Sequence, residues 1–379
     1  MTRWAILTGE YPPEPGGVSD YTRLVARGLA EAGDHVRVFA PHTSEQEDSS
    51  DAGVSTHRLP GFGPRSLARL DRMLADEPKP DRILVQYVPH AYGWKAMNLP
   101  FAAWIAARAS RIAPVYAVFH EVAFPFSWRP ATHALLGAVT RVMARLIAGA
   151  AERVFVTIPA WGDLLERIAP RAQRAEWLPV PSTLDANPHP DVVAAAKAQF
   201  APAGGSLVGH FGTYGTPIAA LLVPAIAELL RLSPGVGVLF IGRGSLEFRD
   251  RFIGHHPEFA GRAIGTGALP GDAVSAHLRA CDLLLQPYPD GISSRRTSAM
   301  AGLANGLPIA TNLGPLSESL WTHGGVLAIP TPEPIGIARL AAQLLADRSV
   351  RAELGRDALA LYRRTFALEH TLSKLRGTR

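Results

Sequence analysis

The chain has 379 residues, with 38 Lys+Arg against 33 Asp+Glu for a formal charge of +5, and 47% of its residues are hydrophobic. That length suits two domains, and charged residues at 19% are too few for a disordered chain. The single cysteine, Cys281, excludes an internal disulfide and any multi-cysteine metal site, and fits a reducing cytoplasm.

Short apolar, β-branched runs alternate with longer Ala/Leu/Arg segments of helical period, which predicts an α/β protein with parallel sheets. In the first half, Arg3–Thr8, His35–Ala40, Arg82–Tyr87, Val115–Phe119 and Arg153–Thr157 read as strands. Ser19–Ala32 reads as the first helix, with Ser19 as cap, Asp20 in the first turn and Gly33 at the exit. His42–Asp51 is polar and acidic and reads as a surface loop. In the second half, Ser206–Phe211, Gly237–Ile241, Leu283–Gln286, Pro308–Thr311 and Gly325–Ile329 read as strands. Ile218–Leu232, Ala273–Ala280, Thr297–Asn305 and Ile335–Ala346 read as helices. The proline-dense stretch from Leu178 to Pro190 is a natural linker. Two doubly wound domains are therefore expected, facing across a cleft, with ligand residues just after the strands.

The apolar run Trp4-Ala5-Ile6-Leu7 is too short for a signal-peptide core. The longest uncharged stretch, Ala198 to Ala227, is broken by Pro202, Pro217, Pro224 and five glycines, so no membrane span is expected. The basic excess is nearly all arginine, with Lys79, Lys95, Lys197 and Lys374 as the only lysines. It reflects either genome composition or a taste for phosphates or an acidic membrane surface. No basic run or aromatic–basic interleaving points to nucleic acid.

Several segments can carry chemistry. Glu10-Tyr11-Pro12-Pro13-Glu14-Pro15-Gly16-Gly17 follows a strand and opens a helix, where backbone N–H groups suit a phosphate. Val118-Phe119-His120-Glu121 delivers a histidine, able to hydrogen-bond or exchange a proton near neutral pH, and a carboxylate at a strand end. Glu121 is either a contact or a capping or surface group. Gly209-His210-Phe211-Gly212-Thr213-Tyr214-Gly215-Thr216 follows the next domain's first strand but is not a dinucleotide G-x-G-x-x-G. Leu239-Phe240-Ile241-Gly242-Arg243-Gly244 ends another strand in an arginine-bearing loop. Ser293-Ser294-Arg295-Arg296-Thr297-Ser298 sets guanidinium forks and hydroxyls at a predicted helix start, which suits an anion. Interdomain or surface ion pairing is the alternative use of these arginines. No His-x-x-x-His, Asp-x-Asp or Cys-x-x-Cys pattern offers a metal site. Cys281 reads as a small core residue. Arg129–Arg153, with His133, Arg141 and Arg145 among apolar residues, is either a buried-faced helix or a membrane-surface element.

Tyr11-Pro12-Pro13, Gly16-Gly17-Val18, Tyr21 and Gly33-Asp34-His35-Val36-Arg37-Val38 together resemble the opening of GT-B glycosyltransferases of the family-4 type, and the resemblance runs in order through most of the chain. It implies a GT-B fold of two Rossmann-like doubly wound domains: residues 1–185, joined by a C-terminal helix 361–379 that packs back, as the acceptor side, and residues 186–360 for the nucleotide sugar. It implies sugar transfer from a nucleoside diphosphate sugar to a hydroxyl acceptor, retaining and metal-independent, with no cofactor beyond the donor. His120 would stand beside the transferred sugar as the catalytic-site residue. Gly16, Gly17, Gly212, Thr213, Tyr214, Arg243, Ser293, Ser294, Arg295, Arg296, Thr297 and Ser298 would serve the donor and its phosphates. The family's Arg and Lys after the Gly212 loop are missing, and so are its two glutamates, whose positions fall on Ser293 and Ala301. Arg295 or Arg296 is expected to supply the phosphate charge, and Glu318 to substitute for a glutamate. The implied partners are a nucleotide sugar and a small-molecule, glycan or lipid-linked acceptor, in the cytoplasm or at the inner face of the membrane, with peripheral membrane contact and no nucleic acid. A GT-B nucleotide-sugar epimerase and a non-catalytic GT-B-like binding protein are the rival readings.

Overall fold

The structure, a computed structural model, describes residues 1–42, 49–93, 96–126, 131–184, 187–322, 326–329 and 331–377. The chain divides into two compact units, Met1–Pro179 with Leu368–Arg379, and Val180–Ala367.

In the first unit the strands are β1 (Arg3–Thr8), β2 (His35–Pro41), β3 (Ser49–Asp51), β4 (Val54–Leu59), β5 (Arg82–Tyr87), β6 (Val115–Phe119), β7 (Arg153–Val156) and β8 (Glu176–Trp177). They form one sheet in the order β3-β4-β2-β1-β5-β6-β7-β8, parallel throughout except for β3 against β4. Trp4, Ala5, Ile6 and Leu7 of β1 are buried on both faces, as a central parallel strand requires. β4 escapes a sequence reading because Val54-Ser55-Thr56-His57-Arg58-Leu59 mixes polar residues into its core face. The Arg58 guanidinium donates through its Nη groups to the carbonyls of Pro41 and Pro12 and is buried. The expected loop at His42–Asp51 ends as β3, and residues 43–48 lie outside the described residues.

The second unit holds β9 (Ser206–Phe211), β10 (Val236–Ile241), β11 (Ala263–Gly265), β12 (Leu283–Gln286), β13 (Ile309–Asn312) and β14 (Leu327–Ile329). Gly325, expected to begin the last of these, lies outside the described residues. The order β11-β10-β9-β12-β13-β14 is parallel throughout. Each sheet runs outward in both directions from one central pair, β1 with β5 and β9 with β12. Such reversals open a crevice at the carboxyl ends of the strands.

The expected return of the chain at residue 361 falls later. Helix Arg348–Thr365 stays in the second unit. There the Tyr362 hydroxyl accepts from the Ser182 N–H at 3.1 Å, and Phe366 stacks on Trp321 with ring centroids 5.6 Å apart. Only helix Leu368–Arg376 returns to the first unit. Leu372 and Leu368 lie against Gly28, where a Cβ would come within 2.9 Å of Leu372. Arg82 donates to the Leu375 carbonyl at 3.0 Å, and Lys374 donates to the Trp177 carbonyl at 2.6 Å.

Helix Ala131–Ala150 buries Gly137, Thr140, Met143, Ala144, Ile147 and Ala148, and leaves Leu135 and Val142 exposed. Arg141 turns inward onto the carbonyls of Phe124 and Gly137, so a core-packed helix accounts for it. Arg129 lies outside the described residues. Cys281 is buried, and burial pushes its thiol up, as for a core residue. Among the described residues no helix is long and apolar enough to cross a membrane.

Candidate functional site

In the first unit, Gly16 caps helix Gly17–Glu31 with extended backbone. The two N–H groups that follow the glycine pair are already engaged. Glu10 Oε1 accepts from Val18 N and Ser19 N, both at 3.1 Å. Ser19, expected to cap, lies inside the helix and donates to the Glu14 carbonyl at 2.6 Å. A carboxylate on a helix N-terminus offsets the same positive potential that a phosphate would. The Val18 and Ser19 N–H groups are therefore spent on Glu10, while Gly16 and Gly17 stand at the helix start, where the sequence placed them.

His120 sits at the carboxyl end of β6 and is buried. Its Nε2 lies 2.8 Å from Gln86 Oε1. With that oxygen accepting, the ring proton sits on Nε2. The Tyr21 ring meets the imidazole edge-on at 4.9 Å. Burial holds the imidazole down to about 3, so it is neutral at physiological pH. It therefore offers a hydrogen bond rather than a stored proton. Glu121 is half-exposed, with an oxygen 3.9 Å from His90 Nδ1.

In the second unit the β9/β12 reversal opens a cavity of about 170 Å³ lined by His210, Phe211, Gly212, Thr213, Ile218, Gln286, Tyr288, Arg295, Arg296, Thr297 and Ser298. Six of the residues expected from the sequence meet here: Gly212, Thr213, Arg295, Arg296, Thr297 and Ser298. Gly212 has φ +141°, and a Cβ there would sit 3.5 Å from Ser298. Thr297 and Ser298 open the helix Thr297–Ala304, which no side chain caps. Its first-turn N–H groups and dipole favour an anion.

The arginines are already partnered. Arg295 Nη2 lies 2.5 Å from Asp290 Oδ2, and Arg296 binds the other oxygen of the same carboxylate. Arg296 also stacks over Tyr288, 4.9 Å from the ring centroid. Burial alone would push Asp290 up, but the two guanidiniums outweigh it and hold the carboxyl below its usual range. Two cations on one anion leave one net positive charge at the cavity wall, while fixing both forks in place.

The remaining expected residues take structural parts. Tyr214 is buried under its own loop, its hydroxyl 3.2 Å and 3.0 Å from the carbonyls of His210 and Ile241. Ser293 and Ser294 are fully buried and do not line the cavity. Glu318, expected to stand in for a lost glutamate, accepts from Ser294 N at 3.0 Å, from the Ser294 hydroxyl and from Trp321 Nε1 at 2.6 Å. It pins the loop rather than facing the cavity. Arg243 is exposed and lies outside the lining. Asp290, Tyr288 and Gln286 were not singled out from the sequence, and His210 only as a member of its glycine loop. Their only signal there was position at or just after strand ends.

Residues 16–181 match the family described as glycosyl transferase 4-like domain. No curated protein sequence matches the chain. Among solved structures, a sucrose-phosphate synthase from Thermosynechococcus elongatus superposes with TM-score 0.77 at 17% identity, covering 100% of this chain and 98% of that one. Anabaena HepE, solved with UDP and glucose, gives 0.71 at 15%, with 100% and 99% covered. An enzyme described as a UDP-N-acetylglucosamine 2-epimerase from Listeria monocytogenes gives 0.60 at 10%, with 100% and 98% covered. The chain has the GT-B fold of two Rossmann-like domains. It resembles family-4 glycosyltransferases.

Proposed function

We propose that this protein is a glycosyltransferase that moves a sugar from a nucleoside diphosphate sugar to a hydroxyl acceptor. The observation that carries the reading is the β9/β12 cavity, where two fixed guanidiniums and an uncapped helix start converge on one small space. The glycosyl transferase 4-like match in the first unit supports the same class. UDP is the first donor nucleotide to try, because HepE was solved with it.

In the reaction the bond from the anomeric carbon to the diphosphate oxygen breaks, and the acceptor oxygen bonds to that carbon. The leaving diphosphate gains negative charge, and preorganised N–H groups and guanidiniums stabilise it best in a water-poor site. Arg295, Arg296, Gly212, Thr213, Thr297 and Ser298 take that part. His120, neutral and held by Gln86, is the first unit's residue for a hydrogen bond to substrate. The acceptor proton goes to the donor phosphate, with retention at the anomeric carbon and without a metal.

The test is thermal stability of the full chain with UDP, GDP, ADP, TDP and NAD, followed by transfer assays on the nucleotide that binds. A ligand at 100 times its Kd stabilises by about 2.7 kcal/mol. Stabilisation by one nucleoside diphosphate, with sugar transfer to an acceptor, supports the reading. Interconversion of the free nucleotide sugar without acceptor would make the protein an epimerase. No response to any nucleotide would make it a binding protein of another kind.

A further inference from the structure

His210 and Gln286 stand on the two central strands of the second sheet, at its topological reversal. β9 pairs with β12 through Val208 with Leu283 and Gly209 with Leu284. Beyond these pairs, side chains bridge the two strands. His210 Nδ1 of β9 donates to the Leu285 carbonyl of β12 at 2.9 Å. Gln286 Nε2 of β12 donates to the Phe211 carbonyl of β9 at 2.9 Å. Each bond fixes the orientation of its side chain, and therefore which atom is left over. The atoms left are His210 Nε2 and Gln286 Oε1, both buried and without a hydrogen-bond partner among the described residues, although the Thr213 carbonyl also draws on the His210 ring. With Nδ1 carrying the proton, Nε2 is an acceptor, and so is the amide oxygen.

Both residues line the cavity that Arg295 and Arg296 enter. A buried acceptor without a donor is costly and calls for a partner. An inorganic phosphate would satisfy the guanidiniums while setting its anionic oxygens against two lone pairs. The complementary ligand combines negative oxygens with O–H donors close beside them. We propose that His210 Nε2 and Gln286 Oε1 form an acceptor pair that reads adjacent hydroxyls next to the diphosphate of the bound nucleotide sugar. This rests on the donor-site reading above. A vicinal diol of that kind has two sources in such a ligand, the ribose and the transferred sugar.

Calorimetric titration of the full chain with UDP, GDP and ADP and their 2′-deoxy counterparts tests the pair. Sites built to bond a hydroxyl reject the analogue that lacks it strongly. The ribonucleotide is expected to bind about tenfold or more tightly than its deoxy form. His210→Phe and Gln286→Leu should each collapse that ratio to below about threefold, with little change for the deoxy form. Equal binding of ribo and deoxy forms, with UDP-glucose alone weakened in the variants, assigns the diol to the transferred sugar and still supports the pair. Equal binding of both forms and unchanged UDP-glucose affinity in folded variants overturns it. If a variant fails to fold, the wild-type protein decides, and a ribo-to-deoxy ratio near one together with equal affinities for UDP and UDP-glucose overturns the proposal. No binding of any nucleoside diphosphate overturns the donor site itself, which separates the two failures.

Discussion

The backbone of Gly16 passes so close to Glu10 that a Cβ built on it would lie 2.6 Å from the carboxylate Oε1. That oxygen holds the Val18 and Ser19 N–H groups, so the glycine makes room for an internal cap on the first long helix. Replacing a side-chain cap by alanine typically costs about 1 kcal/mol. Glu10→Ala should lower stability by about that much in urea unfolding. Gly16→Ala, which pushes the carboxylate off the same N–H groups, should do the same. If Glu10→Ala is as stable as wild type, the cap contributes nothing.

Asp290 holds Arg295 and Arg296 in place but offsets half of their charge. Asp290→Asn keeps the shape and removes the anion. Nucleoside diphosphate affinity should rise about tenfold, while stability falls by about 1–3 kcal/mol as two half-buried cations lose their partner. Arg295→Ala and Arg296→Ala, measured separately by calorimetry, should weaken nucleotide binding. The phosphate role fails if neither does.

His120 and His210 set a pH dependence. Burial holds them down to about 3 and about 4, the latter against the opposing pull of the Leu285 and Thr213 carbonyls. An unfolded histidine titrates near 6.5. Both folded values lie below the unfolded one, so the stabilisation is full above pH 6.5 and is lost as the pH falls toward 4 and then 3. Each group contributes a slope of up to about 1.4 kcal/mol per pH unit there. Urea unfolding at pH 7, 6 and 5 should show it, and His120→Phe and His210→Phe should each remove one histidine's share. An unchanged slope in either variant would mean that its histidine titrates normally in the folded protein.

Leu375 of the last helix is fully buried in the first unit. Leu375→Ala should cost about 2–5 kcal/mol, and removal of residues 368–379 should also strip Arg82 and Arg153 of their carbonyl partners. Limited proteolysis of the truncated chain should cut the Met1–Pro179 unit first. Equal resistance of wild type and truncation would show the returning helix to be dispensable.

Most of the fold was legible because strand and helix formation is written in local periodicity. Arg3–Thr8, Arg82–Tyr87, Val115–Phe119, Ser206–Phe211 and Leu283–Gln286 are strands with the bounds their apolar runs suggest. The helix start at Thr297 was legible for the same reason, since the segment Ser293–Ser298 breaks the strand pattern locally. What the amino-acid order by itself determined was therefore the two α/β halves and the segments that end their strands. Partner choice was decided only by the tertiary structure. Nothing local says that Glu10 will take the Val18 and Ser19 N–H groups, or that Asp290 will claim both arginines. Nor does it say that Glu318 will be tied to Ser294, or that the chain returns at Leu368 once Tyr362 and Phe366 have packed. His210 and Leu285 are 75 residues apart, as are Gln286 and Phe211. Only the crossover that sets β12 beside β9 brings them together, so the donors they spend on each other's strands, and the two acceptors left over, exist only once the chain has folded.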